Sequence, residues 1–260
     1  MSDLIIGARD PVARISLNRP DVHNALNEKL IAELTEALER FGSASWIKAI
    51  VVTGMGKSFC AGADLEWMGK MASYTHDENL ADAGALQKLL HTLYTCPKIT
   101  IAAVNGAAMG GGAGLVAACD YAVASTTASF AFSEVKLGLI PAVISPYVVE
   151  KIGHGAARAL CATGRRFDAV TALRIGLVQE TCAPEDLYAT VNSVLTDAFV
   201  GGPLAVRETK QLLRQIDGLT PTEAAAFTVP AIAGARVSDE GQEGIRAFLE
   251  KRKPSWLSTL

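Results

Sequence analysis

A stretch with no charged side chain lies between Lys98 and Asp120, and it limits what the chain can fold into. Its length is close to the roughly 20 apolar residues that cross a bilayer as a helix. Its first part, 99–104, is however typical of a buried β-strand, and five glycines follow between positions 106 and 114. We therefore predict a buried strand, a glycine turn and a buried helix rather than a membrane span.

The balance of charges limits the possible partners. Half of the 260 residues are hydrophobic and one fifth are charged, which is typical of a soluble globular protein with a full core. The formal net charge is −3, and acids and bases are interspersed. No basic surface for nucleic acid and no cationic cluster for a membrane is expected. Small molecules and copies of the same chain are the expected partners.

The cysteines and the first residues indicate the compartment. The five cysteines have neither CxxC spacing nor a partnered histidine cluster, which argues against disulfides and a zinc site. The N-terminus carries an acid early and lacks both a basic start and a long apolar run, so no secretory signal is expected. We therefore predict a reducing, cytoplasmic location and no bound metal.

Short apolar runs that alternate with helical patterns predict an α/β layer structure. Strands are expected at 12–17, 49–53, 99–104, 120–124, 128–132 and 176–180. Helices are expected at 24–41, 83–94, 141–152, 171–175 and 184–199. The polar stretch 69–82 is weakly patterned and is expected to be mobile. Beyond Gly201 only helices are expected, so we predict a core at 1–200 and a helical region at 201–260.

The glycine turn is the first candidate for chemistry. Adjacent glycines at 110–112 lie where a turn enters a helix. The backbone N–H groups there have no intrahelical acceptor and no side chain that covers them, so they can face a ligand oxygen. An oxyanion site requires such donors. The spacing matches neither a dinucleotide fingerprint nor a lysine-bearing phosphate loop. Close packing of a helix on a strand explains such glycines equally well.

Two further segments are candidates. In the loop 59–65 the small residues Ala61 to Ala63 leave a backbone N–H accessible, although this turn could simply hold Asp64 as the cap of a helix that begins at Leu65. Glu134 lies in an otherwise apolar stretch, and a partly buried carboxylate there would suit acid–base chemistry. The alternative is a surface acid paired with Lys136.

These three segments resemble, in order and spacing, the signature regions of the crotonase (enoyl-CoA hydratase/isomerase) family. Residues 18–26 resemble its first CoA-contacting loop, and 243–253 resemble its C-terminal helix. The resemblance covers nearly the whole chain. It implies an α/β fold with a crotonase-type β-β-α spiral core and a C-terminal α-helical trimerisation region. The implied assembly is a homotrimer or a hexamer made of two trimers.

The resemblance also implies roles for individual residues. The N–H groups of Ala63 and Gly111 would form the oxyanion hole around the thioester oxygen of an acyl-CoA substrate, and Glu134 would be the catalytic acid–base. CoA belongs to the substrate, so no cofactor is implied. The positions implied to contact substrate or CoA are Ala25, Ala61, Asp64, Leu65 and Gly110 in the same chain, and Phe248 and Lys251 from a neighbouring subunit.

Position 114 departs from the pattern of the family's hydratases, which use two glutamates. The first glutamate is replaced here by Gly114, so only Glu134 remains. A single carboxylate could hold water and deliver its proton, or it could move a proton between the α and γ carbons, as in related enoyl-CoA isomerases. A CoA-binding protein without catalysis is a further alternative, against which the presence of Glu134 argues.

Three segments are similar to bacterial 3-methylglutaconyl-CoA hydratases of leucine catabolism, namely 65–68, 73–80 and 133–152. This similarity implies that the chain interconverts 3-methylglutaconyl-CoA and 3-hydroxy-3-methylglutaryl-CoA. The distal carboxylate of this substrate needs a donor in the pocket, or could itself help proton transfer. Lys70, Tyr74 and His76 are candidate donors, although a solvated side chain is the expected state of each histidine.

Overall fold

The computed structural model describes residues 2–9 and 11–257. Its strands are β1 (Leu4–Arg9), β2 (Val12–Leu17), β3 (Ala49–Gly54), β4 (Ser58–Cys60), β5 (Ile99–Val104), β6 (Ala107–Met109), β7 (Tyr121–Ser125), β8 (Ser129–Ala131), β9 (Phe167–Asp168) and β10 (Glu180–Cys182). Its α-helices are α1 (Glu28–Ser43), α2 (Leu65–Met71), α3 (His76–Tyr94), α4 (Gly111–Ala118), α5 (Ser145–Thr163), α6 (Ala169–Arg174), α7 (Leu187–Phe199), α8 (Pro203–Gln215), α9 (Pro221–Val237) and α10 (Asp239–Leu249).

The strands form two sheets, between which the chain alternates. The main sheet has the order β1-β2-β3-β5-β7-β10 and is parallel except for the β1–β2 pair. The second sheet has the order β4-β6-β8-β9. Each of β3, β5 and β7 lies in the main sheet, the next strand lies in the second sheet, and a helix follows. This arrangement confirms the predicted β-β-α spiral with helices at its C-terminal end.

Strand β3 shows why the main sheet is buried on both faces. Its six residues are all buried. Val51 packs in the cluster that includes Leu187 and Val191 of α7, while Ile50 and Val52 join the larger core on the opposite face. Side chains alternate along a strand, so a run of apolar residues serves both faces. Burying each such side chain contributes about 1.5–3 kcal/mol.

The stretch 69–82 contains more helix than its weak pattern predicted, since the helix expected from position 83 begins at His76. It contains the end of α2 and the start of α3. Thr75 caps α3: its side chain accepts from the Glu78 amide at 3.3 Å, and the Glu78 carboxylate accepts from the Thr75 amide at 2.7 Å. This reciprocal pair satisfies two otherwise free amides, so it starts the helix without an apolar pattern.

Several predicted boundaries were also wrong. The helix expected from Asn24 begins at Glu28, because Asn24 itself has a left-handed φ of 58° and Asn27 is the cap. The helix expected at 141–152 is α5, which runs to Thr163 and is interrupted at Gly153. The strand expected at 176–180 occupies 180–182, since the chain first turns at Gly176 with φ 82°. β1, β4, β6 and β9 were not predicted.

The C-terminal helices are fastened to the sheet by an ion pair. Lys210 of α8 places its Nζ atom 2.6 Å from Asp120 Oδ2 and 2.7 Å from the carbonyl oxygen of Lys98. The same carboxylate oxygen accepts from the Thr100 amide at 2.7 Å.

Among the described residues no helix is long and apolar enough to cross a lipid bilayer, and the uncharged segment that raised this possibility contains β5, β6 and α4.

Candidate active site

The three predicted site segments follow three adjacent strands of the second sheet. β4, β6 and β8 are neighbours and run parallel. The loop with Ala63 follows β4, the glycine turn with Gly111 follows β6, and Glu134 comes three residues after β8. The carboxyl ends of parallel strands meet at one edge of a sheet, where ligands commonly bind. The fold therefore brings together segments that are far apart in the sequence.

The loop after β4 is tied to the residues before α1. The Leu26 amide donates to the Gly62 carbonyl at 2.7 Å, and the Asp64 amide donates to the Leu26 carbonyl at 2.8 Å. Ala63 is thus the bridging partner of Leu26. In such a parallel bridge the residue between the two bonded groups directs its own N–H to the opposite side. Ala63 is exposed, so its amide is accessible to a ligand.

Glycines bring the two turns into direct backbone contact. A Cβ atom built on Gly62 would lie 3.0 Å from the Met109 carbonyl oxygen, and one built on Gly112 would overlap the Cys60 carbonyl. A side chain at either position would push the turns apart. These contacts support the packing explanation for the glycines, and they also fix the spacing of the two turns.

Ala63 and Gly111 both lie beside Leu26. A Cβ atom built on Gly111 would lie 2.9 Å from Leu26 Cδ1, so this side chain packs directly against the first residue of α4. The first amides of a helix have no intrahelical acceptor. The Ala63 and Gly111 amides, one from each turn, are therefore the candidate donors for a negative oxygen. The sequence did not reveal this spacing role of Leu26.

Glu134 lies against the glycine turn, and Gly110 connects the two. The Gly110 amide donates to the Ala131 carbonyl at 2.9 Å, which anchors the turn to β8. A Cβ atom built on Gly110 would lie 3.2 Å from Glu134 Oε1, so the carboxylate rests on this glycine. Gly110 has φ 48° and ψ −120°, a conformation that glycine adopts without strain.

The environment of Glu134 suits a proton-transfer group. Its Oε2 atom is buried and has no hydrogen-bond partner among the described residues. Burial raises the pKa of this carboxyl above the ordinary value of 4.5, and the Glu134 backbone amide opposes the shift. The predicted alternative, a surface acid paired with Lys136, finds no ion pair in the described part of the chain. A partly buried acid with no fixed partner can accept a proton from a substrate or water.

Residues predicted to contact CoA surround the same loop. Ala25 is buried, its carbonyl accepts from Arg19 at 2.5 Å, and the Ala61 amide donates to the His23 carbonyl at 3.0 Å. Leu65 is 84% exposed at the start of α2. The nearby Cys60 thiol is buried, and burial raises its pKa to about 12, so it packs as an apolar group.

Asp64 holds this loop in shape with its side chain. Its Oδ1 atom accepts from the Glu66 amide at 2.8 Å and caps α2, as the sequence predicted, while Oδ2 accepts from Arg19 at 2.9 Å. Burial opposes ionisation, but the hydrogen bonds from Arg19 and from the amides of Trp67 and Glu66 outweigh it. The pKa of Asp64 therefore lies below its ordinary value. Arg19 was not predicted as a partner.

Replacing Asp64 with Ala is expected to lower the free energy of unfolding by about 1–3 kcal/mol at pH 7, through loss of the cap and of the bond to Arg19. Because the pKa is depressed in the folded state, this contribution is present above the unfolded-state pKa and is lost as the pH falls through the folded-state pKa. Urea unfolding at pH 7 and in acid measures it. Asp77→Ala, at a side chain 98% exposed, is the control. Equal losses in both variants would contradict the assignment.

Two of the candidate donors for a distal carboxylate of the substrate contact the side chain of Glu28 instead. Lys70 Nζ and Tyr74 Oη each lie 3.4 Å from Glu28 Oε1. His76 is 90% exposed and lies 3.6 Å from Asp77, so its side chain is solvated as expected. We therefore assign none of these three residues to the distal carboxylate of the substrate. Among the described residues no three His, Cys, Asp or Glu side chains cluster so as to hold a metal ion.

The two C-terminal residues predicted to serve a neighbouring subunit belong to a segment that contacts the residue before β3. Phe248 is 83% exposed on α10, and Lys251 follows that helix. In the same segment the Trp256 carbonyl accepts from Lys48 Nζ at 2.8 Å. Lys48 precedes β3, so it lies at the opposite end of that strand from the loop that leads to β4. The contact of Phe248 and Lys251 with CoA stays a prediction.

Known proteins resemble this chain over almost its full length. The family model described as enoyl-CoA hydratase/isomerase matches residues 7–259. Crotonyl-CoA hydratase of Syntrophomonas wolfei is 33% identical, with 98% of each chain covered. The short-chain-enoyl-CoA hydratase of Clostridium acetobutylicum is 32% identical, with 97% of each covered. A crystal structure of an enoyl-CoA hydratase from Shewanella pealeana has a TM-score of 0.94 at 42% identity, covering 98% of this chain and 96% of that one.

Proposed function

This chain belongs to the enoyl-CoA hydratase/isomerase family, and from that premise we propose that it interconverts 3-methylglutaconyl-CoA and 3-hydroxy-3-methylglutaryl-CoA by adding or removing water. The observation that supports a hydratase site most directly is the partly buried carboxyl group of Glu134 on the glycine turn, whose Oε2 atom is buried without a hydrogen-bond partner among the described residues. The branched, carboxylated substrate is supported by the similarity of residues 65–68, 73–80 and 133–152 to hydratases of that class.

In the proposed mechanism the thioester oxygen accepts hydrogen bonds from the amides of Ala63 and Gly111. Glu134 takes a proton from water as the water oxygen bonds to the β carbon, and the electrons of the double bond move to the thioester as an enolate. Glu134 then gives the proton to the α carbon. The amides act on the charge that develops during the reaction, so they lower the barrier more than they tighten substrate binding.

A second candidate is a hydratase of short, unbranched enoyl-CoA esters. It is favoured by the relatives from Syntrophomonas and Clostridium, whose names specify crotonyl-CoA and short-chain enoyl-CoA. The same two amides and the same carboxylate would serve it without change. The two proposals differ only in the acyl group, so a comparison of substrates separates them.

The absorbance of the conjugated enoyl thioester tests the proposal. Purified protein is mixed with 3-methylglutaconyl-CoA, crotonyl-CoA and a 3-enoyl-CoA in parallel. Loss of conjugation much faster with the first than with the second is the expected result. A faster reaction with crotonyl-CoA would favour the unbranched hydratase, and gain of conjugation with the 3-enoyl ester alone would indicate an isomerase. No turnover with any ester would leave a CoA-binding protein.

The proposal extends to the assembly, because α9 is apolar on all sides but is covered only slightly within one chain. Phe227 is 44% exposed, Val229 62% and Ile232 52%, whereas Ala224 is the buried residue of this helix. Exposed apolar surface of this extent marks an interface. We propose a homotrimer, or a hexamer of two trimers, formed through the helical region 201–260 as a unit beside the core at 1–200.

Ile232→Glu is expected to give a particle with the mass of one chain, because a charge on this face cannot be buried in an interface without a partner. Light scattering after gel filtration measures the mass, and the parent protein is expected at three or six chains. Leu80→Glu, at an exposed apolar residue of α3, is the control and should keep the parent mass. A single-chain parent, or an unchanged mass in the Ile232 variant, would contradict the assembly.

The remaining parts of the proposal follow from the acyl-CoA substrate. The reaction needs no cofactor beyond the CoA that the substrate carries. A cytoplasmic location is proposed, with no nucleic acid and no membrane as partner, on the basis of the sequence composition.

A further inference from the structure

A cavity of about 490 Å³ lies between the core and the helical region. Its walls come from the segment between α1 and β3, the residues before β5, the end of α7 and the start of α8. Lys48 directly precedes β3, and Lys98 directly precedes β5, its parallel neighbour. The loop that leads to β4 leaves the other end of β3, six residues or about 20 Å away. None of the residues assigned to the candidate active site lines this cavity.

Lys98 is a half-buried cation in the cavity wall. Its ammonium group forms no ion pair and no hydrogen bond within the described part of the chain. Burial lowers the pKa of Lys98; the nearby Cys96 opposes this shift, and the positive charge of Arg207 adds to it. A cation that is partly removed from water and repelled by a second cation is destabilised unless an anion joins them. This position therefore lacks a negative group.

Arg207 of α8 is the second cation, and it lines the same cavity. Its guanidinium lies 3.9 Å from the carboxylate of its neighbour Glu208, and both side chains are about half exposed. An exposed ion pair at this distance contributes little stability. Most donors of the guanidinium are therefore available, and a guanidinium can bind two oxygens of a carboxylate or a phosphate at once.

Glu240 is the acid of the cavity wall, but its carboxylate is bound to α8. Its two oxygens accept from the Leu204 amide at 2.9 Å and from the Ala205 amide at 2.8 Å. The third cation, Lys48, donates to an uncharged group, the Trp256 carbonyl, at 2.8 Å. Three cations and one acid thus line the cavity, which gives it a net charge of +2.

We propose that this cavity binds a small organic anion, whose carboxylate or phosphate group lies between Lys98 of the core and Arg207 of the helical region. Ile99, Phe199 and Val206 provide an apolar wall for a short hydrocarbon part. The volume is within the usual range of small-molecule sites. The anion offsets the repulsion between two cations on opposite sides of the boundary. Binding therefore stabilises the attachment of the helical region to the core.

Thermal melting of the full chain with butyrate and with monobutyl phosphate tests the site, because the two probes share an apolar part and differ in the charged group. At least one probe should give a saturable rise in Tm of at least about 2 °C, which sodium chloride at the same ionic strength does not reproduce. Lys98→Met and Arg207→Gln should each raise the half-saturating concentration at least about tenfold, since each removes a charge-assisted hydrogen bond. Lys88→Gln, at an exposed lysine of α3, is the control and should bind as the parent does.

Melting without a probe checks the premise about Lys98. Because folding lowers the pKa of this side chain, its charged form costs stability at pH 7, and Lys98→Met should melt at or above the parent temperature. A Lys98→Met variant that melts well below the parent would refute the premise and with it the site. No saturable shift with either probe, or equal half-saturation in the parent and Lys98→Met, would also overturn the site. None of these outcomes depends on turnover, so they leave the proposed function untouched.

Discussion

Replacing Glu134 with Gln is expected to lower kcat by about 10²–10⁴-fold, because the amide cannot take the proton of water or return it to the α carbon. KM should change little, since the backbone donors of Ala63 and Gly111 remain. The initial rate of loss of enoyl absorbance measures the effect. Glu36→Gln, at an exposed acid of α1, is the control and should keep the parent rate. Retention of most of the activity in the Glu134 variant would remove its catalytic role.

The same substitution is expected to raise Tm at pH 7. Burial raises the pKa of the Glu134 carboxyl, so the folded state favours the neutral form. Stability from this group is therefore full below the unfolded-state pKa and is lost as the pH rises through the folded-state pKa. At neutral pH the parent bears this cost, and a neutral glutamine does not. The difference in Tm should vanish in acid; a variant that melts below the parent at pH 7 would contradict the assignment.

The activity of the parent should fall as the pH drops through the raised pKa of Glu134, because only the ionised carboxylate can take a proton from water. The acidic limb of kcat is thus expected above the ordinary value of 4.5. At neutral pH the parent is therefore expected to be more active and less stable than the Glu134→Gln variant. Both differences have the same cause, which is the partial burial of an ionised carboxylate.

Gly112→Ala is expected to lower kcat/KM by about 10²-fold and Tm by about 3–10 °C. Its methyl group would overlap the Cys60 carbonyl, and a backbone atom cannot rotate away as a side chain can. The two turns must therefore separate, which moves the Ala63 and Gly111 amides away from a common oxygen. Turnover and thermal melting measure the two effects.

The control for this prediction is another glycine within a helix. A Cβ atom built on Gly69 of α2 meets nothing within 4 Å, so Gly69→Ala should melt at or above the parent temperature, since alanine favours a helix. Parent-like activity in the Gly112 variant would show that the contact between the turns does not set the geometry of the amides.

Local signals in the sequence were sufficient for part of the site. Asp64 was predicted as a possible helix cap because an acidic residue before an apolar helix start is a common cap, and it is one. Glu134 stood out as an acid in an apolar stretch. Strands β4 and β6 were missed because each has only three residues, too few to show alternation. Yet these strands bring the two turns to one edge.

Contacts between distant residues could not be read from the sequence. Gly114 was noted as a departure from the family pattern, but its contact with Ile144, thirty positions later, depends on how α4 packs beside α5. The role of Leu26 between the two turns is of the same kind, since it follows from pairing with a loop that lies beyond β3 and β4. Such pairings follow from the tertiary fold.

The two donors proposed for the thioester oxygen are main-chain groups, which has a consequence for how such a site can change over generations. A substitution at Ala63 exchanges a side chain but retains the N–H group, unless proline is introduced. The donor at position 63 is thus insensitive to most exchanges of its own side chain. Proton transfer, in contrast, depends on one side chain, Glu134, and on the side chains that pack around it. Substitution of a few side chains around Glu134 can therefore change the reaction while the main-chain donors are retained.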